Sequence, residues 1–77
     1  MLEETDEQYL QALGKRISVM RKEKRLTQGQ LAEICKMEKA NLSRIETGKT
    51  NPTVLTLRKI AAELFDSFED LFPKGQE

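Results

Sequence analysis

The chain has 77 residues with a formal net charge of zero, and 34% of its residues are charged. A chain of this length forms one small domain. A single cysteine and no histidine exclude an internal disulfide and remove the commonest general base and metal ligand. No stretch approaches the roughly 20 apolar residues of a membrane span. These observations predict a cytoplasmic domain with no cofactor, no metal and no membrane partner, and they make an enzyme the weakest functional interpretation.

The net charge of zero conceals three blocks of different charge. Residues 1–13 carry four acidic residues and no basic one, whereas residues 14–49 carry ten basic and four acidic residues. Residues 50–77 carry three basic and five acidic residues. The central basic block indicates a nucleic-acid surface. Solvated helix faces give the same composition, so charge alone leaves both interpretations open.

The first predicted boundary separates an acidic, flexible segment, residues 1–8, from a domain over residues 9–73, followed by a tail, residues 74–77. The acidic segment is predicted to be frayed or weakly helical. The domain opens with a helix predicted from Tyr9 to Lys24. Its apolar residues recur at spacings of three and four, which places them on one face of a helix. These residues are Leu10, Leu13, Ile17 and Met20.

Two short helices joined by a tight turn come next. Thr27, followed three residues later by Gln30, is a capping-box signal that begins helix 2, predicted over residues 28–35. The turn is predicted over residues 36–38. Within it, Met37 has the spacing of a buried plug between the two helices.

Helix 3 is predicted over residues 39–47, with Glu38 as its N-cap and Gly48 just beyond its end, where a left-handed residue is common. The apolar positions of helices 2 and 3 predict a shared core made of Leu31, Ala32, Cys35, Leu42 and Ile45. The opposite face of helix 3 is predicted to carry Lys39, Ala40, Asn41, Ser43 and Arg44. A short helix with one apolar edge and one polar, basic edge suits the major groove of DNA.

Two further helices complete the chain. Thr53 is predicted to cap helix 4 over residues 54–64, which has the clearest apolar stripe in the sequence, namely Leu57, Ile60, Ala61 and Leu64. Ser67 and Asp70 form a second capping signal that opens a short helix 5 over residues 68–72. No segment alternates apolar and polar residues as a strand does, so the predicted class is all-α with five helices.

The outward side chains of helix 3 match the chemistry of base edges. Arg44 can bind O6 and N7 of guanine together, Asn41 can bind N6 and N7 of adenine, and Ala40 can contact the methyl group of thymine. Lys39 can reach either a base or a phosphate. Gln28, in the first turn of helix 2, is placed to bind a DNA phosphate. The alternatives are a surface ion pair for Arg44 and simple solvent exposure for Asn41 and Gln28.

Three segments, in this order and spacing, carry a resemblance to a known family: MRKEKRLTQGQLAEI, NLSRIETGKTNP and LRKIAAELFDSFEDLF. The chain resembles the lambda-repressor-like helix-turn-helix family, also called the Cro/repressor or XRE family, over about residues 10–72. The resemblance implies a compact five-helix domain that regulates transcription by binding double-stranded DNA, with helix 3 in the major groove.

The resemblance also implies roles for individual residues. Base contacts would come from Lys39, Ala40, Asn41 and Arg44. Contacts to the DNA backbone would come from Thr27, Gln28, Ser43, Thr47, Lys49, Thr50 and Asn51. Arg21 and Glu46 would form a structural ion pair between helix 1 and helix 3.

The sequence departs from the family pattern at three places. Lys36 stands where the turn often has glycine, so a left-handed backbone there would cost on the order of 1 kcal/mol. Glu38 stands where serine or threonine usually caps helix 3, and its carboxylate would repel a nearby phosphate. Phe65 and Asp66 replace the usual glycine and aliphatic residue after helix 4, so Phe65 either fills the space of the aliphatic residue or faces a partner subunit.

The resemblance implies a homodimer that reads an inverted repeat, since one short recognition helix gives little contact with DNA. The predicted dimer interface combines Leu55, Phe65, Phe68, Leu71 and Phe72, some or all of which can instead belong to the domain core. The alternative function is a protein-interaction or antitoxin-like module with a protein partner and only secondary DNA binding. The acidic N-terminal segment and the phenylalanine-rich end favour that alternative.

Overall fold

Helices account for all the regular structure of the chain between residues 4 and 74, which are the residues that the computed structural model describes. In order, they are α1 (Asp6–Glu23), α2 (Gln28–Ile34), α3 (Lys39–Glu46), α4 (Val54–Leu64) and a 3₁₀ helix (Phe68–Leu71). The all-α prediction is confirmed. The fifth predicted α-helix is a single 3₁₀ turn, so the described part of the chain has four α-helices. No helix in this range is long and apolar enough to cross a membrane.

The first helix begins three residues earlier than predicted. The Thr5 hydroxyl accepts a hydrogen bond from the backbone N–H of Gln8, and the Gln8 side chain accepts one from the backbone N–H of Thr5, at 3.1 and 2.9 Å. This capping box starts α1 at Asp6, whose negative charge also suits the positive end of the helix. Of the two alternatives for residues 6–8, frayed or weakly helical, the structure has the helical one, as part of α1 itself. Residues 1–3 of the predicted acidic segment and residues 75–77 of the predicted tail lie outside the described residues.

One aliphatic core joins all five elements. The apolar stripe predicted for α4 is buried as expected, and α1 contributes Leu13 and Ile17, while Leu10 and Met20 are only half-buried. The fully buried side chains are Ile17, Leu31, Leu42, Ile45, Ile60, Leu64 and Leu71. Burying a side chain of this size contributes about 1.5–3 kcal/mol, so these residues supply most of the stabilisation that holds the short helices together.

Helices α1 and α3 cross at a glycine. A methyl group built on Gly14 would overlap the backbone carbonyl of Ile45 and would lie 2.6 Å from the carbonyl oxygen of Glu46. Only a residue without a side chain allows the two backbones to approach this closely. The contact fixes α3 against α1 along its inner edge.

The end of the chain packs differently from the prediction. Ser67 is the N-cap of a 3₁₀ turn and not of an α-helix, and its side chain makes no capping bond. Phe65 ends α4 in an extended conformation, with φ of −127°, so no glycine is required there. Its half-buried ring lies 5.4 Å from the guanidinium of Arg16, which also donates a 2.6 Å hydrogen bond to the carbonyl oxygen of Asp70. Phe65 thus fills a site within the domain.

Candidate nucleic-acid interface

The α2–α3 unit begins with the capping box predicted from the sequence. The Thr27 hydroxyl accepts a bond from the Gln30 backbone N–H at 3.0 Å, and the Gln30 side chain accepts one from the Thr27 backbone N–H at 2.8 Å. Helix α2 ends at Ile34, with Cys35 buried as its C-cap, one residue earlier than predicted. The local sequence therefore defines where the unit starts and stops.

The turn between α2 and α3 contains a left-handed residue that is not glycine. Lys36 has φ of 57°, the conformation that glycine usually supplies. The backbone N–H of Met37 donates to the Ala32 carbonyl at 2.9 Å, and the half-buried Met37 side chain packs against the core. Burial of Met37 helps to hold the turn in spite of the cost at Lys36. A second non-glycine residue, Arg25, has φ of 61° between α1 and α2, and no local signal predicted it.

Helix α3 separates its two faces as the sequence predicted. Leu42 and Ile45 are buried, whereas Lys39, Ala40 and Arg44 are exposed. Asn41 and Ser43 are half-buried at the edges of the outward face. Arg44 makes no ion pair within residues 4–74, where the single salt bridge joins Arg21 to Glu46. The outward face is therefore available to a partner.

Both ends of α3 differ in detail from the prediction. Glu38 has the extended backbone of an N-cap, but its exposed carboxylate makes no side-chain capping bond. At the other end α3 stops at Glu46, and Thr47 is the C-cap. The Thr47 hydroxyl donates to the Ser43 carbonyl at 2.9 Å.

The segment after α3 turns sharply against α1. Gly48 has φ of 76°, and a methyl group on it would lie 2.7 Å from backbone atoms of Gln11. The backbone N–H of Lys49 then donates to the Arg44 carbonyl at 2.9 Å. Of the side chains predicted to approach the DNA backbone here, Thr47, Lys49 and Asn51 are exposed and Thr50 is half-buried. The turn therefore places this polar segment directly after the outward face of α3.

A buried polar network ties α1, α2 and α3 together. The guanidinium of Arg21 donates from Nε to Oε2 of Glu46 at 2.8 Å and from Nη2 to Oε1 at 3.1 Å. Its Nη1 atom donates to the carbonyl oxygen of Leu26 at 2.7 Å, immediately before the N-cap of α2. The side chains of Arg21 and Glu46 are only 9% and 4% exposed. The structure thus brings together the pair that the resemblance implied.

The same network includes Gln28, for which the sequence predicted only a contact with a DNA phosphate. The Gln28 side chain is half-buried, and its Nε2 donates to Oε1 of Glu46 at 2.9 Å. The two residues are 18 positions apart and no local pattern relates them. Sequence reasoning missed this contact because it depends on how α2 packs against α3.

The predicted dimer interface is not one exposed surface. Leu71 is completely buried in the domain core, so its assignment to a dimer interface was wrong. It is buried because the 3₁₀ turn folds back over α4 and α1. Phe65 and Phe72 are half-buried against the same core, and the Phe72 ring meets the Phe68 ring edge to face at 5.1 Å. Leu55 and Phe68 remain exposed, at 64% and 39%.

Metal binding and nucleophilic chemistry would need suitable side chains among residues 4–74. Among residues 4–74, no three His, Cys, Asp or Glu side chains lie close enough to hold a metal ion. Cys35 is buried, and burial raises the pKa of its thiol, with Glu63 adding to the rise and Lys59 opposing it. A thiol with a raised pKa is a poor nucleophile.

Comparison with known proteins matches most of the chain to one family. A family model described as helix-turn-helix matches residues 17–71. The chain is 42% identical over 52 residues to the immunity repressor protein of Bacillus phage phi105, covering 68% of this chain and 36% of the relative. It is 35% identical over 67 residues to the HTH-type transcriptional repressor RghR of Bacillus subtilis, covering 86% of this chain and 50% of the relative.

A solved structure extends the match to three dimensions. The restriction-modification controller protein C.AhdI from Aeromonas hydrophila superimposes with a TM-score of 0.78 at 27% identity, covering 82% of this chain and 96% of that one. The chain spans a third to a half of the length of the two curated relatives. The family-model match over residues 17–71 contains the whole α2–α3 unit.

Proposed function

The chain belongs to the helix-turn-helix family, and we propose that it is a sequence-specific regulator of transcription that binds double-stranded DNA. The observation that carries the proposal is the division of α3 into a buried apolar face and an outward face of exposed Lys39, Ala40 and Arg44. The names of the matched relatives, two of them repressors, agree with this reading. Because DNA is the proposed partner, a cytoplasmic location remains part of the proposal.

In the proposed complex α3 enters the major groove. Arg44 binds guanine with two parallel hydrogen bonds, Asn41 binds adenine in the same way, and Ala40 contacts a thymine methyl group. Lys39 binds a neighbouring base or phosphate. The support for Arg44 is its exposure and its lack of an ion-pair partner within residues 4–74, so binding requires no existing salt bridge to break.

Contacts to the DNA backbone fix the register of α3 without reading sequence. We assign them to residues at the start of α2, at the edge of α3 and in the segment beyond it, namely Thr27, Gln28, Ser43, Thr47, Lys49, Thr50 and Asn51. Thr27 and Thr47 also hold helix ends through their hydroxyl groups, so replacing either affects stability as well as binding. Phosphate contacts make binding weaken steeply with added salt.

We further propose that two copies bind an inverted repeat with half-sites one DNA turn, about 34–36 Å, apart. The exposed apolar side chains Leu55 and Phe68 are the members of the predicted dimer interface that remain candidates. Phe65 and Phe72 are available only in part, and Leu71 takes no part.

Selection of bound duplexes from a random library tests the proposal. We expect one enriched sequence with two-fold symmetry. Replacing Arg44 or Asn41 with alanine should weaken binding to it about five- to 150-fold, because a bidentate base contact contributes roughly 1–3 kcal/mol. Both variants should keep the thermal midpoint within a few degrees, since neither residue lies in the core.

Lys15→Ala is the matched control for Arg44→Ala, because each removes one positive charge. Lys15 follows Gly14, which faces α3, and lines a groove with Val19 and Lys74 on another side of α1. This variant should bind the enriched duplex nearly as well as the wild type. Failure to enrich any sequence, or normal binding by both alanine variants, would refute the proposal. Capture of a stable protein partner without DNA binding would instead favour the interaction module.

A further inference from the structure

Glu46 determines the orientation of the Gln28 side-chain amide, that is, which side its nitrogen and its oxygen face. The amide nitrogen is 2.9 Å from Oε1 of the Glu46 carboxylate. The reverse orientation would place the amide oxygen of Gln28 against that carboxylate, and two acceptors without a hydrogen between them repel. The Glu46 carboxylate, which can only accept hydrogen bonds, therefore determines that the amide nitrogen of Gln28 faces it.

The carboxylate itself has little freedom to move. Both of its oxygens accept bonds from Arg21, at 2.8 and 3.1 Å, and the Glu46 side chain is 4% exposed. The third donor of Arg21 holds the carbonyl oxygen of Leu26, two residues before Gln28 in the chain. The network thus fixes the backbone at the start of α2 and the Gln28 amide at the same time.

An amide nitrogen carries two hydrogens, and Glu46 accepts only one of them. Within residues 4–74 the second N–H of Gln28 has no acceptor. We propose that Glu46 is a positioning residue for DNA binding, which presents the second N–H of Gln28, and not its oxygen, to a phosphate. This inference rests on the proposed function and gives Glu46 a role beyond joining α1 to α3.

Glu46→Gln tests the inference because electrostatics alone and a positioning role predict opposite changes in DNA affinity. The variant removes one negative charge close to the proposed interface, so long-range electrostatics alone predicts tighter DNA binding. A merely structural role predicts a lower thermal midpoint with unchanged or tighter binding by the folded fraction. If Glu46 positions Gln28, binding to the selected duplex becomes about three- to tenfold weaker, because either end of the amide can then face the phosphate.

Glu38→Gln is the charge-matched comparison, since Glu38 adjoins the same helix and makes no capping bond. It should bind the duplex more tightly than the wild type. A double-mutant cycle then connects Glu46 with Gln28. Gln28→Ala should weaken binding about tenfold, and adding Glu46→Gln to it should produce no further weakening. Full additivity of the two losses, or tighter binding by folded Glu46→Gln, would overturn the inference.

A measurement on the unmodified protein decides the matter if Glu46→Gln does not fold. The two side-chain N–H resonances of Gln28 should be separate and slowly exchanging in the free protein, since one N–H is bonded to Glu46. Addition of the selected duplex should shift the second resonance and leave the first nearly unchanged. Two solvent-like resonances, or no shift on binding, would overturn the inference although DNA binds. A wild-type protein that binds no duplex overturns the proposed function itself.

Discussion

Replacing Arg21 with methionine should destabilise the fold by about 3–5 kcal/mol, the range found when one partner of a buried ion pair is removed. Methionine keeps most of the aliphatic stem but removes all three hydrogen bonds that Arg21 donates. Glu46 is then left 4% exposed with no cation and only Gln28 as a donor. A chain of this size has a free energy of unfolding of roughly 4–12 kcal/mol. The variant therefore loses a large part of its stability.

Urea unfolding followed by circular dichroism at 222 nm measures this loss. Thermal unfolding, followed by the same signal, gives a second measure. A destabilisation of 3 kcal/mol should lower the thermal midpoint by about 12 °C or more. Lys22→Met is the matched control, because Lys22 is an exposed neighbour in the same helix and its replacement should change stability by no more than about 0.5 kcal/mol.

The double variant Arg21→Met/Glu46→Met separates the stranded charge from the lost hydrogen bonds. With both charges removed, no carboxylate is left unpaired in the core, so the double variant should be more stable than Arg21→Met alone. An Arg21→Met protein within about 1 kcal/mol of the wild type, or a double variant less stable than the single one, would show that the network contributes little to the fold.

Three further predictions follow from single positions. Lys36→Gly should stabilise the protein by about 0.5–1 kcal/mol, because glycine removes the left-handed strain at φ of 57°. Part of the gain is offset because glycine also gives the unfolded chain more conformational entropy. An unchanged urea midpoint would contradict this prediction. Gly14→Ala should destabilise by about 1–3 kcal/mol in the same assay, since its methyl group meets a rigid carbonyl of α3, whereas helix propensity alone predicts stabilisation. Because burial raises the pKa of the Cys35 thiol, iodoacetamide at pH 8 should modify the native protein far more slowly than the urea-unfolded one, and equal rates would place Cys35 at the surface.

Local signals predicted the elements that depend on neighbouring residues. The stripe of α4 and the capping box at Thr27 involve residues no more than a few positions apart, and both are present as predicted. The start of α1 was missed although the same signal stands at Thr5 and Gln8. There the high acidic content of the segment favoured a frayed or only weakly helical interpretation, whereas the capping box and the helix dipole both stabilise a helix from Asp6 onward.

Contacts between distant parts of the chain were harder to predict. The family resemblance implied the ion pair of Arg21 with Glu46, but nothing in the spacing related Gln28 to either. Leu71 illustrates the same limit, because an apolar residue near a chain end fits a core or a dimer interface equally well. Only the path of the 3₁₀ turn over α1 and α4 places Leu71 inside the domain.

The eight residues of α3 are too few for a stable isolated helix, so its conformation depends on its inner face. That face is held by the close approach of Gly14, by the buried Leu42 and Ile45, and by Glu46 in its network with Arg21. None of the exposed side chains proposed to read bases takes part in these contacts. Stability and sequence readout are therefore carried by different residues of one helix. Glu46 instead connects stability with a proposed contact to the DNA backbone. Its bond to Gln28 makes the same carboxylate part of the core and, in our proposal, part of the DNA interface.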